Sequence, residues 1–431
     1  MRTAAPAVHQ DDPARPDGPS VEGTDQAPAS GAHHVPLWTV PVLIAALTRG
    51  LYWAAVHPAW VPRSDAAQYV GLARSLAAGD GFTAAFPSGV AHATAFRPPL
   101  YPALLAVPTA VFGPDALWPG RLLSLLIGLA VVALTVVYVR RIAGDRAGFA
   151  AGLAVALLPS LIVNDTITLT EPLGLLLVVG ILLALDDRRW ILSGALTGLL
   201  LLTRPNAYLV VAVMAVVVWR TVGLRRAAAA VGICLVVVAP WAVRNAVQVG
   251  TPKLATSDGF TLAAIYGPPA QETGGFFDPT VAPWFRRNGV TALERDEAAW
   301  SNRLVAIAVD GVRDRPSSVL DRMWSGAGTM LELPGHRAEE AEWVDGRSIT
   351  FRDATLWLFP LIVVAGSIGT VLRIRDRRTW PAIAIVGQFV AVSLVLVSVP
   401  RLRGPFDLLM CFGVGYLWGW VTDRRSATPV G

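Results

Sequence analysis

The chain has 431 residues, of which 54% are hydrophobic and only 16% charged. Its apolar runs approach the ~20 residues that carry a helix across a bilayer, so the composition excludes an ordinary water-soluble domain and describes a polytopic membrane protein. The formal charge of +5 comes almost wholly from arginine, Lys253 being the lone lysine, and no basic run with interleaved aromatics points to nucleic acid.

Residues 1–34 are rich in Ala, Pro, Asp, Gly and Ser and hold no apolar run, which predicts a disordered cytoplasmic tail rather than a cleaved leader. The first span is expected over 35–56. A polar outer loop, 57–118, follows. It carries Asp65 just past the first span and Tyr69 one helical turn later. Leu72, Ala73 and Leu76 extend an amphipathic pattern that Gly79-Asp80-Gly81 ends. Arg97-Pro98-Pro99-Leu100-Tyr101-Pro102 then makes a rigid basic turn. Three prolines in Leu100–Leu117 (Pro102, Pro108, Pro114) predict a broken, partly embedded helix that does not cross.

If that segment does not cross, the helix-end arginines (Arg140-Arg141, Arg188-Arg189, Arg220, Arg225-Arg226, Arg373, Arg375, Arg377-Arg378 and Arg424-Arg425) all fall on one side. The positive-inside rule makes that side cytoplasmic. The fold class is therefore an all-α bundle of about ten transmembrane helices, with both termini inside. Spans are expected over 35–56, 119–139, 147–163, 166–185, 190–204, 207–219, 227–243, 353–372, 380–399 and 406–422. The N-terminal module is 35–243, a large extracytoplasmic cap covers 244–352, the C-terminal helices lie in 353–422, and 423–431 is a cytoplasmic tail. Within the cap, Glu294–Gly311 and Ser317–Met330 read as amphipathic helices. The cap is too long for a plain connector.

Ionisable groups near a membrane must be solvated, paired or functional. Asp65 stands at the mouth of the bundle. Asp165 suits a helix N-cap, whereas Glu171 lies deeper, where Pro172 is expected to kink the helix. Short outer loops should be poor in arginine, yet Arg204, Arg244, Arg401 and Arg403 are there. Snorkelling anchors are the ordinary explanation. Guanidinium forks converging on one anion are the functional one, because their geometry matches phosphate oxygens. Carboxylates and arginines on one face suggest chemistry on a hydroxyl proton and a phosphate leaving group. Cys234 and Cys411 sit in apolar segments as core residues. Of the histidines only His57, at the outer end of the first span and eight residues before Asp65, is singled out, and no metal-ligand spacing occurs.

Ser64-Asp65 with Tyr69, Gly79–Gly81 and Arg97-Pro98-Pro99-Leu100-Tyr101-Pro102 resembles the first outer loop of GT-C-fold glycosyltransferases. The likeness is to the protein O-mannosyltransferase, aminoarabinose transferase and Rgt-like branch. Thr170-Glu171-Pro172-Leu173, Ala239-Pro240-Trp241 with Arg244-Asn245, and Pro400-Arg401-Leu402-Arg403 fit it too, although Leu402 departs from the aromatic usual there. The resemblance implies inverting transfer of a sugar from a polyprenyl-phosphate donor to a glycan, lipid or protein acceptor outside the cytoplasmic membrane. It implies Asp65 as base, with Glu171 and Asp165 orienting the acceptor or a cation. It implies substrate binding by Tyr69, Arg97, Tyr101, Arg204, Arg244, Asn245, Arg401 and Arg403, with Arg244, Arg401 and Arg403 on the lipid phosphate. No cofactor follows with certainty: some GT-C enzymes use a divalent metal and others do not, and the carboxylates have the chemistry to support one without demanding it. A flippase for lipid-linked sugars and a non-catalytic subunit of the same fold are the alternatives. Charges gathered at helix ends, with no inverted repeat, weigh against the flippase.

Overall fold

The computed structural model describes residues 36–290, 296–336, 342 and 344–427. The expected tail 1–34, Glu294 and the last residues, 428–431, lie outside them. From Leu37 onward the chain forms one unit, almost wholly helical.

Helix α1 (Thr39–Leu51) runs on through a π turn, Tyr52–Val56. The segment expected as the outer loop then folds into α2 (Ser64–Ala78), a two-residue hairpin of β1 (Thr83–Ala84) and β2 (His92–Ala93), and α3 (Leu100–Phe112). Among the described residues the hairpin is the single departure from an all-helical reading. Next come α4 (Trp118–Ala143), α5 (Asp145–Leu157), α6 (Pro159–Asn164), α7 (Glu171–Asp186), α8 (Trp190–Leu201), α9 (Tyr208–Val222) and α10 (Leu224–Gln248). The cap contributes α11 (Ser257–Tyr266), α12 (Pro268–Thr273), α13 (Pro283–Arg287), α14 (Glu297–Asp314) and α15 (Ser317–Met330). The chain closes with α16 (Ile349–Thr355), α17 (Leu358–Leu372), α18 (Trp380–Val395), a 3₁₀ turn (Pro400–Arg403) and α19 (Gly404–Ala427).

Among the described residues, four helical stretches are long and apolar enough to cross a bilayer unaided: Thr39–Val56, Trp118–Ala143, Pro205–Val222 and Leu224–Gln248. Helices α16 and α17, bent by 54°, make a fifth if counted as one span. Of the other expected spans, 406–422 lies within the continuous 24-residue α19, and the rest coincide with shorter or broken helices. The reasons are local. Pro159 lacks an N–H and crowds the preceding turn, which splits the expected 147–163 span into α5 and α6. Glu171 starts α7, so Pro172 occupies its first turn, where a missing N–H costs nothing; the expected kink is absent. Asp165 is not an N-cap either, because it ends α6 while Thr170 caps α7. The expected non-crossing segment is the 13-residue α3, with Pro108 inside it.

One continuous apolar core joins α1, α4, α5, α7, α8, α18 and α19. Helices α17 and α19 approach backbone to backbone: a Cβ added at Gly369 would lie 1.8 Å from the Gly413 carbonyl oxygen. Small residues at such a crossing let dispersion replace the hydrophobic drive that lipid cannot supply. Outward-facing Leu43, Val111, Val236 and Val247 are strongly exposed, as on a surface meant for acyl chains. Fold class and composition agree that this is a multi-pass membrane protein.

Charged clusters lie at both ends of α4 and α7. At the C-terminal ends of α4 and α7, Arg378 forks onto Asp186 at 2.7 and 2.8 Å and Arg141 pairs with Asp187 at 2.6 Å. At their N-terminal ends lie the outer loop, Glu171 and the 3₁₀ turn.

Candidate active site

Helix α2 buries Ala66, Tyr69, Leu72 and Ala73, and that stripe orients Asp65, in its first turn, toward the bundle mouth. The two oxygens of Asp65 are taken by different arginines. Oδ1 accepts from Arg97 Nη2 and Oδ2 from Arg401 Nη2. Arg97 also donates from Nε to Gln68 Oε1 at 2.5 Å and lies 5.6 Å from the Tyr69 ring centre. Tyr69 packs edge-on against Tyr101 at 5.6 Å, and the Tyr101 hydroxyl bonds Ser124 Oγ at 2.7 Å. The predicted loop residues therefore form one unit around the acid.

Arg401 links this unit to two further acids. Its Nη1 is 3.0 Å from Asp345 Oδ1 and its Nε 3.9 Å from Glu171 Oε1. Arg204 Nη1 reaches the same Glu171 oxygen at 3.6 Å, while Glu171 Oε2 is buried with no hydrogen-bond partner among the described residues. Three carboxylates and three guanidiniums thus share one pocket at low exposure. Burial alone would raise Asp65, but Arg97 and Arg401 outweigh it and hold the carboxyl well below the usual range. Burial pushes Asp345 up to about 7; Arg401 opposes this, and the charges of Asp65 and Glu171 add to it. Arg401 is held strongly protonated, because Asp345, Asp65 and Glu171 overcome its desolvation.

Other predicted residues go elsewhere. Asp165 accepts from Arg49 Nε at 3.0 Å and Nη2 at 2.9 Å, inside the bundle. Arg49 also donates to the carbonyls of Ala156 and Val155. Arg403 turns away from Asp65 to bond Glu332 Oε1 at 2.5 Å and Asp407 Oδ1 at 3.1 Å, and stacks 3.7 Å over Phe359. Arg244 donates to the carbonyls of Thr94 (2.5 Å) and Phe82 (2.8 Å) and lies 4.9 Å from the Trp241 ring. Asn245 donates to Lys253 O at 2.8 Å. The Arg244 bonds to Thr94 O and Phe82 O brace the segment leading into Arg97. His57 contacts Gly346 O, joining the outer loop to the cap.

Three residues escaped the sequence reading: Gln68, Asp345 and Glu297. Buried Glu297, at the start of α14, accepts from Thr94 Oγ1 (2.6 Å), Ala95 N (2.9 Å), Thr256 Oγ1 and His92 Nε2 (3.1 Å). It clips the cap to the segment carrying Arg97. Nothing in the spacing of the cap's many acids marks Glu297 or Asp345; long-range packing alone distinguishes them. Beside Arg97, the loop lines an open cavity of about 460 Å³, bordered by Gln68, Gly71, Thr83, Phe86, Phe96 and Arg97 among others.

A divalent metal does not fit this donor set. Both Asp65 oxygens face guanidiniums, and no group of three His, Cys, Asp or Glu among the described residues could hold an ion.

Residues 96–243 match the family model for dolichyl-phosphate-mannose-protein mannosyltransferases. A comparison with the curated proteins finds no match. The fold is similar to that of the archaeal oligosaccharyltransferase AglB from Archaeoglobus fulgidus, solved with an inhibitory peptide and a dolichol-phosphate: 14% identity, TM-score 0.54, covering 91% of this chain and 52% of that one. The Archaeoglobus fulgidus oligosaccharyltransferase in complex with Zn and sulfate gives 13% identity and TM-score 0.52 over 90% and 49%. ArnT from Cupriavidus metallidurans, bound to undecaprenyl phosphate, is 17% identical over 90% and 78% at TM-score 0.41. The chain spans about half the length of the oligosaccharyltransferase. In fold over most of its length, and in sequence over residues 96–243, the chain resembles the GT-C glycosyltransferases that use polyprenyl-phosphate sugars.

Proposed function

We propose that the protein is an inverting membrane glycosyltransferase. It moves a sugar from a polyprenyl-phosphate carrier to a hydroxyl or amine of a glycan, lipid or protein on the outer side of the cytoplasmic membrane. The observation that carries the reading is the acid Asp65 clamped by Arg97 and Arg401 at the bundle mouth, with Glu171 and Arg204 alongside.

Inverting transfer needs a base for the acceptor proton and cationic donors for the departing phosphate. A carboxylate gripped by two guanidiniums is a weak base. When the carrier phosphate draws a guanidinium to itself, the grip on Asp65 loosens and its basicity rises toward the useful range. Donor binding then activates the base, which protects the site from acting without donor. Asp65 takes the proton as the acceptor oxygen or nitrogen attacks the anomeric carbon; the carbon–oxygen bond to phosphate breaks, and Arg401 with Arg204 stabilises the phosphate released. Glu171, with one unpartnered buried oxygen, is positioned to orient the acceptor. The cap, 244–352, supplies acceptor selection. Arg403 and Asp165, each committed to buried partners, support the site from outside it.

The test is transfer of labelled sugar from a panel of polyprenyl-phosphate sugars by the purified protein in detergent or proteoliposomes. Transfer supports the enzyme. Movement of donor across vesicles with no transfer to any acceptor would replace the reading by a flippase.

A further inference from the structure

Resting on the carrier reading above, we propose that Asp345 of the cap competes with the carrier phosphate for Arg401. It is a positioning residue that sets when the phosphate can enter. The argument begins with charge. Asp65, Glu171 and Asp345 are balanced by Arg97, Arg204 and Arg401 in a pocket where each side chain is no more than 19% exposed. With all three acids ionised the site is neutral and a phosphate adds negative charge to it, so one carboxylate must yield its arginine or its charge.

Geometry selects which one. Asp65 is held by two guanidiniums. Glu171 is rooted at the start of α7 and faces two guanidiniums at 3.6 and 3.9 Å, without a short bond to exchange. Among the described residues Asp345 makes one ion pair, 3.0 Å to Nη1 of Arg401, whose Nη2 faces Asp65 and whose Nε faces Glu171. The backbone around it is anchored, since His57 reaches Gly346 O and Arg347 pairs with Glu342 at 2.9 Å. A rotation of the Asp345 side chain therefore frees Nη1 without moving the cap. The groups acting on Asp345 are Arg401 on the 3₁₀ turn, Asp65 on α2, Glu171 on α7 and Arg347 beside it in the cap. The two acids and burial outweigh the two arginines, leaving its carboxyl at about 7, so its charge changes near neutrality. Raising the pH charges Asp345, strengthens its hold on Arg401 and repels phosphate. Carrier affinity should fall with pH.

The experiment measures binding of a polyprenyl phosphate and of its methyl ester to the purified full-length protein, between pH 5.5 and 8.5. The ester carries a single charge throughout, so a slope in its binding belongs to the protein. Wild type should lose affinity for the ester severalfold as pH rises through about 7. Asp345→Asn should bind severalfold tighter than wild type at pH 8 and show no slope, and Asp345→Glu should restore the slope. Coincident wild-type and Asp345→Asn curves, or weaker binding by Asp345→Asn at pH 8, overturn the competition while leaving the carrier reading intact. If Asp345→Asn does not fold, a flat wild-type curve overturns it equally. No binding of either ligand by any form removes the carrier reading, and the competition with it.

Discussion

Replacing Asp65 by Asn removes a charge from the site while nearly preserving its shape. The amide oxygen can still accept from Arg97 or Arg401, but its NH₂ would face the other guanidinium, so one of the two present contacts is lost. If Asp65 is the base, the chemical step should slow by about 10²–10⁴-fold, which is roughly 3–5 kcal/mol on the barrier. Donor affinity should not fall, because the two guanidiniums are then less neutralised. The expected signature is a large drop in kcat with donor KM unchanged or lower. The sign with pH follows from the depressed carboxyl: its ion-pair stabilisation is present above the unfolded value of ~3.9 and is lost as pH falls through the folded value. Wild type should therefore lose stability in acid more steeply than Asp65→Asn. The assay pairs steady-state transfer kinetics with donor binding and thermal unfolding of the same preparation. Transfer by a folded Asp65→Asn within about threefold of wild type, well short of the 10² expected, would remove Asp65 as base.

Gly128→Ala would put a methyl carbon 2.2 Å from the Asp165 carboxyl carbon, expelling that side chain from Arg49. Disrupting such a buried pair costs about 3–5 kcal/mol, and an unchanged unfolding temperature in detergent would refute the packing. In Glu297→Gln an NH₂ replaces an oxygen that accepts from Thr94 or Ala95, at about 1–3 kcal/mol for each donor left bare. Thermal unfolding reads that loss, and transfer should fall with it because the segment leading to Arg97 loosens; full activity would show that the clip is dispensable. Arg401→Lys keeps the charge but not the fork, and an ammonium cannot serve Asp65 and Asp345 in the same geometry. With hydrogen bonds to charged groups worth about 1.5–3 kcal/mol, kcat/KM for donor should drop roughly 10- to 100-fold, and wild-type kinetics in this variant would argue against Arg401 on the phosphate.

The sequence by itself determined the membrane bundle, the helix α2 with Asp65 in its first turn, the short proline-bearing α3 and the two long helices α14 and α15. Hydrophobic length, 3.6-residue periodicity and proline chemistry are local properties that a chain carries wherever it packs. The resemblance to GT-C glycosyltransferases was legible for the same reason, in short motifs in order. Helix ends were less legible: Pro172 looked like a kink until the start of α7 placed it where proline is tolerated. The pairing of charges was not legible at all. Arg401 and Arg403 read as one motif, yet in a 3₁₀ turn successive side chains are about 120° apart, so two residues on they face different pockets. One meets Asp65, 336 positions away, and the other meets Glu332 and Asp407. Likewise Asp165 found Arg49 rather than the site, and Asp345 entered it from a cap with no marking pattern. Which acid meets which arginine depends on how helices and loops distant in sequence converge, and only the tertiary structure decided it.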